Sequence, residues 1–413
     1  MFSIKLGLKN LSRQKRRNFI TILVIAFAFF IFLFLDSLME GMTEMSFNNI
    51  KDYETGSIQI AYPAYWKDKD KMPLENLIDF NQNMEESLKN IEGVLGVSPE
   101  LRFQANLNNG IDEITVQGIG IFIEQYNDVF ATQNHVIKGS MFAPGEAKAV
   151  MGVKLAELMN LKINDHITLL FRTKENTFNT IDLEISGLAH TPNPLTNNGK
   201  VFVPLDIARE ALNVENSVSI IAIKMDGEKY VDPTINHIHQ IFQEKNLGLH
   251  AYSWKESAKT VIAIRTAEDA ETAVMLIIIL SIGMIGIINN VILSSLERSR
   301  EIGMMKALGM REWEIVLVFM VEATGLGILG GLAGCLFGYA GVWWITEIGY
   351  DLSYIGGDMS MYGVPIIDKI YGAWNFSSFV FIFFFGIVVA LLSSIVPAYW
   401  SAHKDPVKAI YNR

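Results

Sequence analysis

The sequence predicts a polytopic α-helical membrane protein with four transmembrane helices and a large mixed α/β domain outside the bilayer. Three observations carry that expectation. Half of the 413 residues are hydrophobic, 25 of them Phe, and the mean hydropathy is positive. The apolar residues gather in four runs long enough to cross a bilayer, which takes ~20 residues of helix. Between the first two runs lies a polar stretch, residues 36–271, with 20 Lys/Arg against 34 Asp/Glu.

Residues 1–18 form a basic amphipathic segment in which Lys5, Lys9, Arg13, Lys15, Arg16 and Arg17 have no acid among them. The first span covers 19–40, with Asp36 near an interface. Its charged lead is long and "FLDSLMEGM" offers no small-x-small cleavage site, so it reads as a retained span and not a signal peptide.

Residues 41–268 form the α/β domain. Leu74, Leu77, Ile78, Met84, Leu88 and Ile91 recur at helical spacing, and "GVKLAELMNL" and "DPTINHIHQIFQEKN" predict two further helices. Strand-like stretches are "GSIQIAY", "EITVQGIGIF", "HITLLF", "IDLEISGLA", "KVFVPL" and "VSIIAIKM". "HTPNPLTNNG", residues 190–199, reads as a loop, either solvated or a surface that engages a partner.

The second span, 269–296, contains a 25-residue run without charge (272–296). A short charged segment, 297–314, precedes the third span, 315–346. There Gly327, Gly330, Gly331, Gly334 and Gly338 include several four-residue spacings, which let another helix approach closely, in this chain or a second one. Glu322 is the only charged residue of that span. With no second ionisable group in view it reads as structural or interfacial, not as a proton carrier. A short loop, 347–373, the fourth span, 374–402, and a tail, 403–413, complete the chain.

Basic residues set orientation. The N-terminal segment, the 297–314 segment (Arg298, Arg300, Lys306, Arg311) and the tail (Lys404, Lys408, Arg413) are basic, whereas 347–373 holds one Lys and four acids. Both termini and 297–314 are therefore expected in the cytoplasm, with the acidic domain on the other side. Nothing suggests nucleic acid. The single cysteine, Cys335, lies within a span, so no disulfide framework is expected, and a small core residue is its reading.

No G-x-x-x-x-G-K-[ST] phosphate loop occurs, so these residues are not expected to hydrolyse ATP. H-E-x-x-H, CxxC and G-x-S-x-G are absent too, and His237 and His239, two apart on a predicted helix, point to different faces. No catalytic, cofactor or metal residue is assigned.

The segment after the second span reads "ERSREIGMMKALGM" (297–310). Ile302, Met305 and Leu308 or Gly309 can share one helical face, while Glu297/Arg300 and Arg298/Glu301 are opposite charges three apart. Gly309 suits the position just past a helix end, and "REWEIV" starts a fresh helix. The result is either an ordinary charged hairpin between spans or a knuckle anchored by membrane helices at both ends, suited to passing force from a partner.

That stretch resembles the "R-E-I-G-x-x-[KR]-A-L-G" signature of the MacB/LolC/LolE/FtsX superfamily of ABC-transporter permeases. "VPAYWSAHKDPVKAIYNR" resembles the superfamily's ending through Pro397, Ala398, Ala402, Asp405, Pro406, Val407, Ala409 and Ile410, and "LGLKNLSRQKRRNFITILVIAFA" resembles its start. "IKGSMFAPGEAKAVMGVKLAELMNLKINDHITLLF" is similar to its periplasmic domain, with Ile163-Asn164-Asp165 where "vGD" is typical. Ser57 stands where His is common.

The resemblance implies a MacB-like, type VII ABC permease of the bacterial inner membrane, most like the lipoprotein-releasing LolC/LolE branch. It would pair with a second permease subunit, the same or homologous, and with two copies of a cytoplasmic ABC ATPase that bind the ATP and Mg. Its coupling helix would use Glu297, Arg298, Arg300, Glu301, Ile302, Gly303, Lys306, Ala307, Leu308 and Gly309. A lipoprotein would pass from membrane lipids to a periplasmic chaperone. Phe34, Leu38, Met42 and Met275 are placed at an apolar cavity between the first and second spans for its acyl chains, and Pro192, Asn193, Pro194 and Leu195 at chaperone docking. The alternatives are a MacB-type efflux permease with a separate ATPase and an FtsX-type mechanotransducer regulating a cell-wall hydrolase.

Overall fold

The computed structural model describes residues 2–11, 13–351 and 369–403. The expected motif residues Asp405, Pro406, Val407, Ala409 and Ile410, and most of the 347–373 loop, lie outside the described residues. The chain divides into a helical unit (2–44, 264–351 and 369–403) and an α/β unit (45–263).

In chain order, α1 (Phe2–Leu11) and α2 (Lys15–Ile50) come first. β1 (Ile58–Ala61), α3 (Pro63–Lys67), β2 (Ile78–Asp79), α4 (Gln82–Lys89), β3 (Val94–Asn108), β4 (Glu113–Ile121) and α5 (Ile123–Val129) follow. Next are β5 (Val136–Gly139), β6 (Lys148–Gly152), α6 (Val153–Leu158), β7 (His166–Arg172), β8 (Phe178–Ala189), α7 (Pro194–Gly199) and β9 (Lys200–Pro204). Then come α8 (Leu205–Leu212), β10 (Ser217–Val218), β11 (Ile220–Met225), α9 (Val231–Glu244), β12 (His250–Ser253) and α10 (Trp254–Ser257). The chain continues with α11 (Lys259–Glu297), α12 (Ser299–Ala307), α13 (Glu312–Glu347), a ribbon of β13 (Tyr350–Asp351) and β14 (Lys369–Ile370), and α14 (Phe376–Ala402).

The α/β unit is built on one sheet in the order β12-β1-β11-β3-β4-β9-β6-β8-β5, with β7 pairing β3 and β8. Its pairs are antiparallel except β4–β9 and β6–β8. Phe103, Leu107, Leu169, Leu183 and Val203 form a core with Leu205 and Leu212 of α8 and Ile238 and Phe242 of α9. Full burial of each such side chain contributes ~1.5–3 kcal/mol. A second cluster gathers Ile119, Ile121, Tyr126, Val129, Phe130 and Phe202.

Two of the differences from the sequence expectation have a local cause. The helix expected over 74–91 is only α4, because Asn81 accepts the N–H of Met84 at 3.0 Å and starts the helix there. Upstream, Ile78 pairs with Val218 in the β2–β10 ribbon instead. The 15-residue strand β3 was not expected at all: Gly96 and Pro99 interrupt its apolar alternation, yet it pairs with β11, β4 and β7.

Among the described residues four helices, α2, α11, α13 and α14, are long and apolar enough to cross a membrane. α2 and α11 run for 36 and 39 residues, and at ~1.5 Å per residue both exceed a hydrocarbon core of ~30 Å. The loss of hydropathy after Asp36 therefore does not end a helix. Residues 41–50 remain helical and bury Met42, Ser46, Asn49 and Ile50.

The glycines of α13 face helices of the same chain. A β-carbon on Gly330 would lie 2.8 Å from Ile25 Cβ, and one on Gly334 would lie 3.0 Å from the Ala26 carbonyl oxygen, both on α2. Gly338 faces Leu33 of α2, Gly327 faces Ala390 of α14, and Gly331 meets Phe29 and Phe383 from both. Such contact is available only without a side chain.

Gly334→Leu is expected to cost ~1–3 kcal/mol through overpacking, read as a lower unfolding temperature in detergent. Gly283→Ala on α11, where a β-carbon meets nothing within 4 Å, should be neutral or gain up to ~1 kcal/mol of helix propensity. Equal unfolding temperatures for Gly334→Leu and the native chain would contradict the α2–α13 contact.

Candidate functional site

α11 stops at Glu297 because Arg298 leaves helical geometry (φ −105°, ψ 14°). α12 then runs nine residues and ends in a left-handed Gly309, φ +90°. The Gly309 N–H donates to the Lys306 carbonyl at 3.0 Å and the Met310 N–H to the Met305 carbonyl at 3.1 Å. This pairing closes a helix end on glycine. The Arg311 N–H donates to Glu314 Oε2 at 2.9 Å and starts α13.

The apolar face of α12 is narrower than its sequence suggests. Ile302 and Gly303 are buried, and Met305 packs on a cluster that includes Ile315, Ala398 and Ala402. Leu308, expected on that face, is instead 89% exposed, since as the C-cap it has left the helical turn. With Arg300, Met304 and Ala307, also exposed, it forms a solvent-facing tip.

Ion pairs hold the opposite side. The Arg298 guanidinium lies between Glu301 (3.1 Å) and Glu322 of α13 (3.3 Å), and the Ser294 hydroxyl donates to the other oxygen of Glu322 at 3.5 Å. Glu301 also receives Arg13 at 3.1 Å. Glu297 accepts Arg17 at 2.8 Å and the side-chain amide of Gln14, not the expected Arg300, which is in no ion pair among the described residues.

Lys306 reaches away from the tip. Its ammonium donates to the Ala402 carbonyl at 2.7 Å and pairs with Glu312 at 3.2 Å, while the other Glu312 oxygen meets His403 Nδ1 at 3.1 Å. A cation there complements the carbonyls left unpaired at the end of α14.

α12 is thus tied to the N-terminal segment, to α13 and to α14. α1 adds to this by lying along α13, where a β-carbon on Gly7 would lie 2.8 Å from the Val318 carbonyl and one on Gly325 would meet Leu11. Exposed pairs such as Arg13–Glu301 are worth ~0–1 kcal/mol. The Arg298–Glu322 pair has side chains only 10% and 4% exposed, and stranding either partner costs more.

The other sequence-assigned residues fall elsewhere. Phe34 stacks on Phe30, centroids 5.9 Å apart, beside an apolar groove of about 750 Å³ between α2 and α13, lined by Phe19, Leu23, Phe27, Phe30 and Phe337. Leu38 is half-buried and Met42 buried. Met275 packs against the core of the helical unit. The segment 190–199, expected as a loop, contains the short helix α7. Thr191 and Asn197 exchange hydrogen bonds of 2.7–2.8 Å, and Asn193 accepts the Leu195 N–H at 2.8 Å. Asn193 and Pro194 are buried, Pro192 is half-buried and Leu195 is 62% exposed. Among the described residues no three His, Cys, Asp or Glu side chains group as a metal site.

Arg298→Ala should cost ~3–5 kcal/mol by leaving Glu322 buried without its partner, whereas Arg298→Met with Glu322→Leu should recover most of that loss. Unfolding temperatures of the two variants check this. A double variant no better than the single one would overturn the pairing.

Two family descriptions match the chain: a MacB-like periplasmic core domain over residues 18–241 and an FtsX-like permease C-terminal region over 273–406. The macrolide export ATP-binding/permease protein MacB of a Shewanella species is 23% identical over 428 residues, 99% of this chain and 60% of that protein. The lipoprotein-releasing system transmembrane protein LolC of Neisseria meningitidis serogroup B is 21% identical, over 89% of this chain and 92% of that protein. The solved periplasmic region of MacB from Actinobacillus actinomycetemcomitans aligns with 50% of this chain and 92% of its own at 11% identity and a TM-score of 0.36. The chain spans about half the length of the export ATP-binding/permease proteins it matches. With a core-domain match over more than half its length and the permease region after it, the chain belongs to the MacB-like family, as an ABC-transporter permease of the MacB/LolC/FtsX type.

Proposed function

We propose that this permease extracts lipoproteins from the inner membrane and hands them to a periplasmic chaperone, driven by a cytoplasmic ATPase acting on α12. The observation that carries the proposal is the anchoring of α12. Its tip of Arg300, Met304 and Leu308 is exposed, while Arg298, Glu301 and Lys306 bind it to Glu322, Arg13 and the end of α14. A push on the tip therefore acts on α2, α13 and α14 together. The basic N-terminal segment and the basic residues of 297–314 support a cytoplasmic position for this side by the positive-inside rule.

Moving acyl chains out of lipid exposes methylenes at ~0.8 kcal/mol each, so such a device needs apolar surface to receive them. The α2–α13 groove, flanked by Phe34, supports this, and it lies between the first and third spans instead of the first and second. The LolC relative supports this branch because it aligns over nearly the full length of both chains. The 99% coverage of this chain by the MacB relative favours a second reading, export of a compound.

The experiment is reconstitution in liposomes with a triacylated lipoprotein, the ATPase, ATP and a candidate chaperone. Chaperone-bound lipoprotein should form only with hydrolysable ATP, and Leu308→Asp should reduce it at least about tenfold by spoiling a contact hot spot. Hydrolysis without release would overturn lipoprotein extraction and favour export.

A further inference from the structure

The α/β unit holds a cleft of about 430 Å³ whose lining includes Leu195, one of the residues that the resemblance places at chaperone docking, and which is otherwise unused in the proposed function. The cleft lies among the turn at Glu54, β1, α3, β3 and the start of β9. Three cations line it: Lys69, Arg102 and Lys200.

Arg102 is already neutralised, since it pairs with Glu100 and donates to the Glu54 carbonyl at 2.7 Å. Lys200 is not. It is 7% exposed, and its ammonium donates to the Tyr53 carbonyl at 2.8 Å without an ion pair among the described residues. Burial pushes Lys200 down to about 8, so it remains a cation at neutral pH. Lys69 lies 3.9 Å from the centre of the Trp66 ring and donates to the Ser257 hydroxyl at 2.7 Å, again outside any ion pair among the described residues.

Gln59 is 2% exposed. Its side-chain oxygen accepts from the Ser257 hydroxyl at 3.4 Å, and its amide nitrogen has no partner. An ammonium offers three donors, so Lys200, Lys69 and Gln59 together present spare donors at one cleft. Lys200 feels Glu54 and Glu100 only at longer range, and a buried N–H without an acceptor costs stability; an oxyanion between them gives the first a direct partner and the second an acceptor. Trp66 is covered by Tyr252 on one face, at 3.9 Å and 1°, and by the Lys69 ammonium on the other, so it borders the cleft with its edge. Glu54 and Asp70, also on the lining, disfavour a polyanion.

We propose that this cleft is a binding site for a small organic monoanion, its oxyanion head held by Lys200, Lys69 and Gln59 and its body lying toward Trp66. A volume of about 430 Å³ falls within the range of small-molecule sites. Isothermal titration calorimetry of the full chain in nanodiscs, with benzoate and with inorganic phosphate as probes, tests it. Saturable benzoate binding at about millimolar affinity or tighter is expected, weakened at least about tenfold by Lys200→Met and by Lys69→Gln. Lys69 is only half-buried, so its variant remains a usable test even where Lys200→Met fails to fold, which its unfolding temperature reports. Phosphate binding as tightly as benzoate would remove the role of Trp66 and keep the oxyanion site. No saturable binding of either probe, or binding unchanged in Lys69→Gln, would overturn the proposal.

Discussion

The pair between Arg298 and Glu322 is the interaction on which the helical unit depends. A carboxylate inside an apolar helix is tolerated only where a partner reaches it, and here the partner is the residue at which α11 breaks and α12 begins. Glu322 is thereby paired by the residue at the break itself. Glu301, one turn later, takes the same guanidinium and adds Arg13. The charged residues of α12 are in this way divided between holding the helix in place and facing solvent.

Lys306 shows the division well. A cation in an exposed, conspicuously charged segment invites a role in partner contact, yet its side chain is 14% exposed and ends on the last carbonyls of α14. The face left to solvent is apolar and basic, made of Arg300, Met304 and Leu308. Glycines complete the arrangement from within: α13 can receive α2 and α14 closely because Gly327, Gly330 and Gly334 present no side chain to them.

Much of this was legible in the sequence, and the parts that were not share a physical cause. Apolar runs of membrane length, glycine spacing and the Gly309 stop are local signals, and they located the spans, the close-packed face of α13 and the end of α12. Strand β3 was hidden because Gly96 and Pro99 erase the period of two, and its place is set by three neighbouring strands. The helical continuations of α2 and α11 were hidden because hydropathy reports the solvent and not the backbone. Glu322 announced a need for a partner, but nothing local singles out Arg298, 24 positions away, among the basic residues nearby. The clasp of Arg13 and Arg17 on Glu301 and Glu297 was equally invisible, since it joins residues almost three hundred positions apart.

The proposed passage of force through α12 needs polar ties that help hold that helix to its neighbours, and Glu301 makes two of them. Hydrogen exchange of the backbone amides of residues 302–307, compared between the native chain and Glu301→Gln in nanodiscs, tests that most directly. Exchange there is predicted to quicken by about twofold to tenfold in the variant, while the interior of α13 keeps its protection. Equal protection of 302–307 in both proteins would contradict it, because the ties of Glu301 would then contribute nothing to the position of α12.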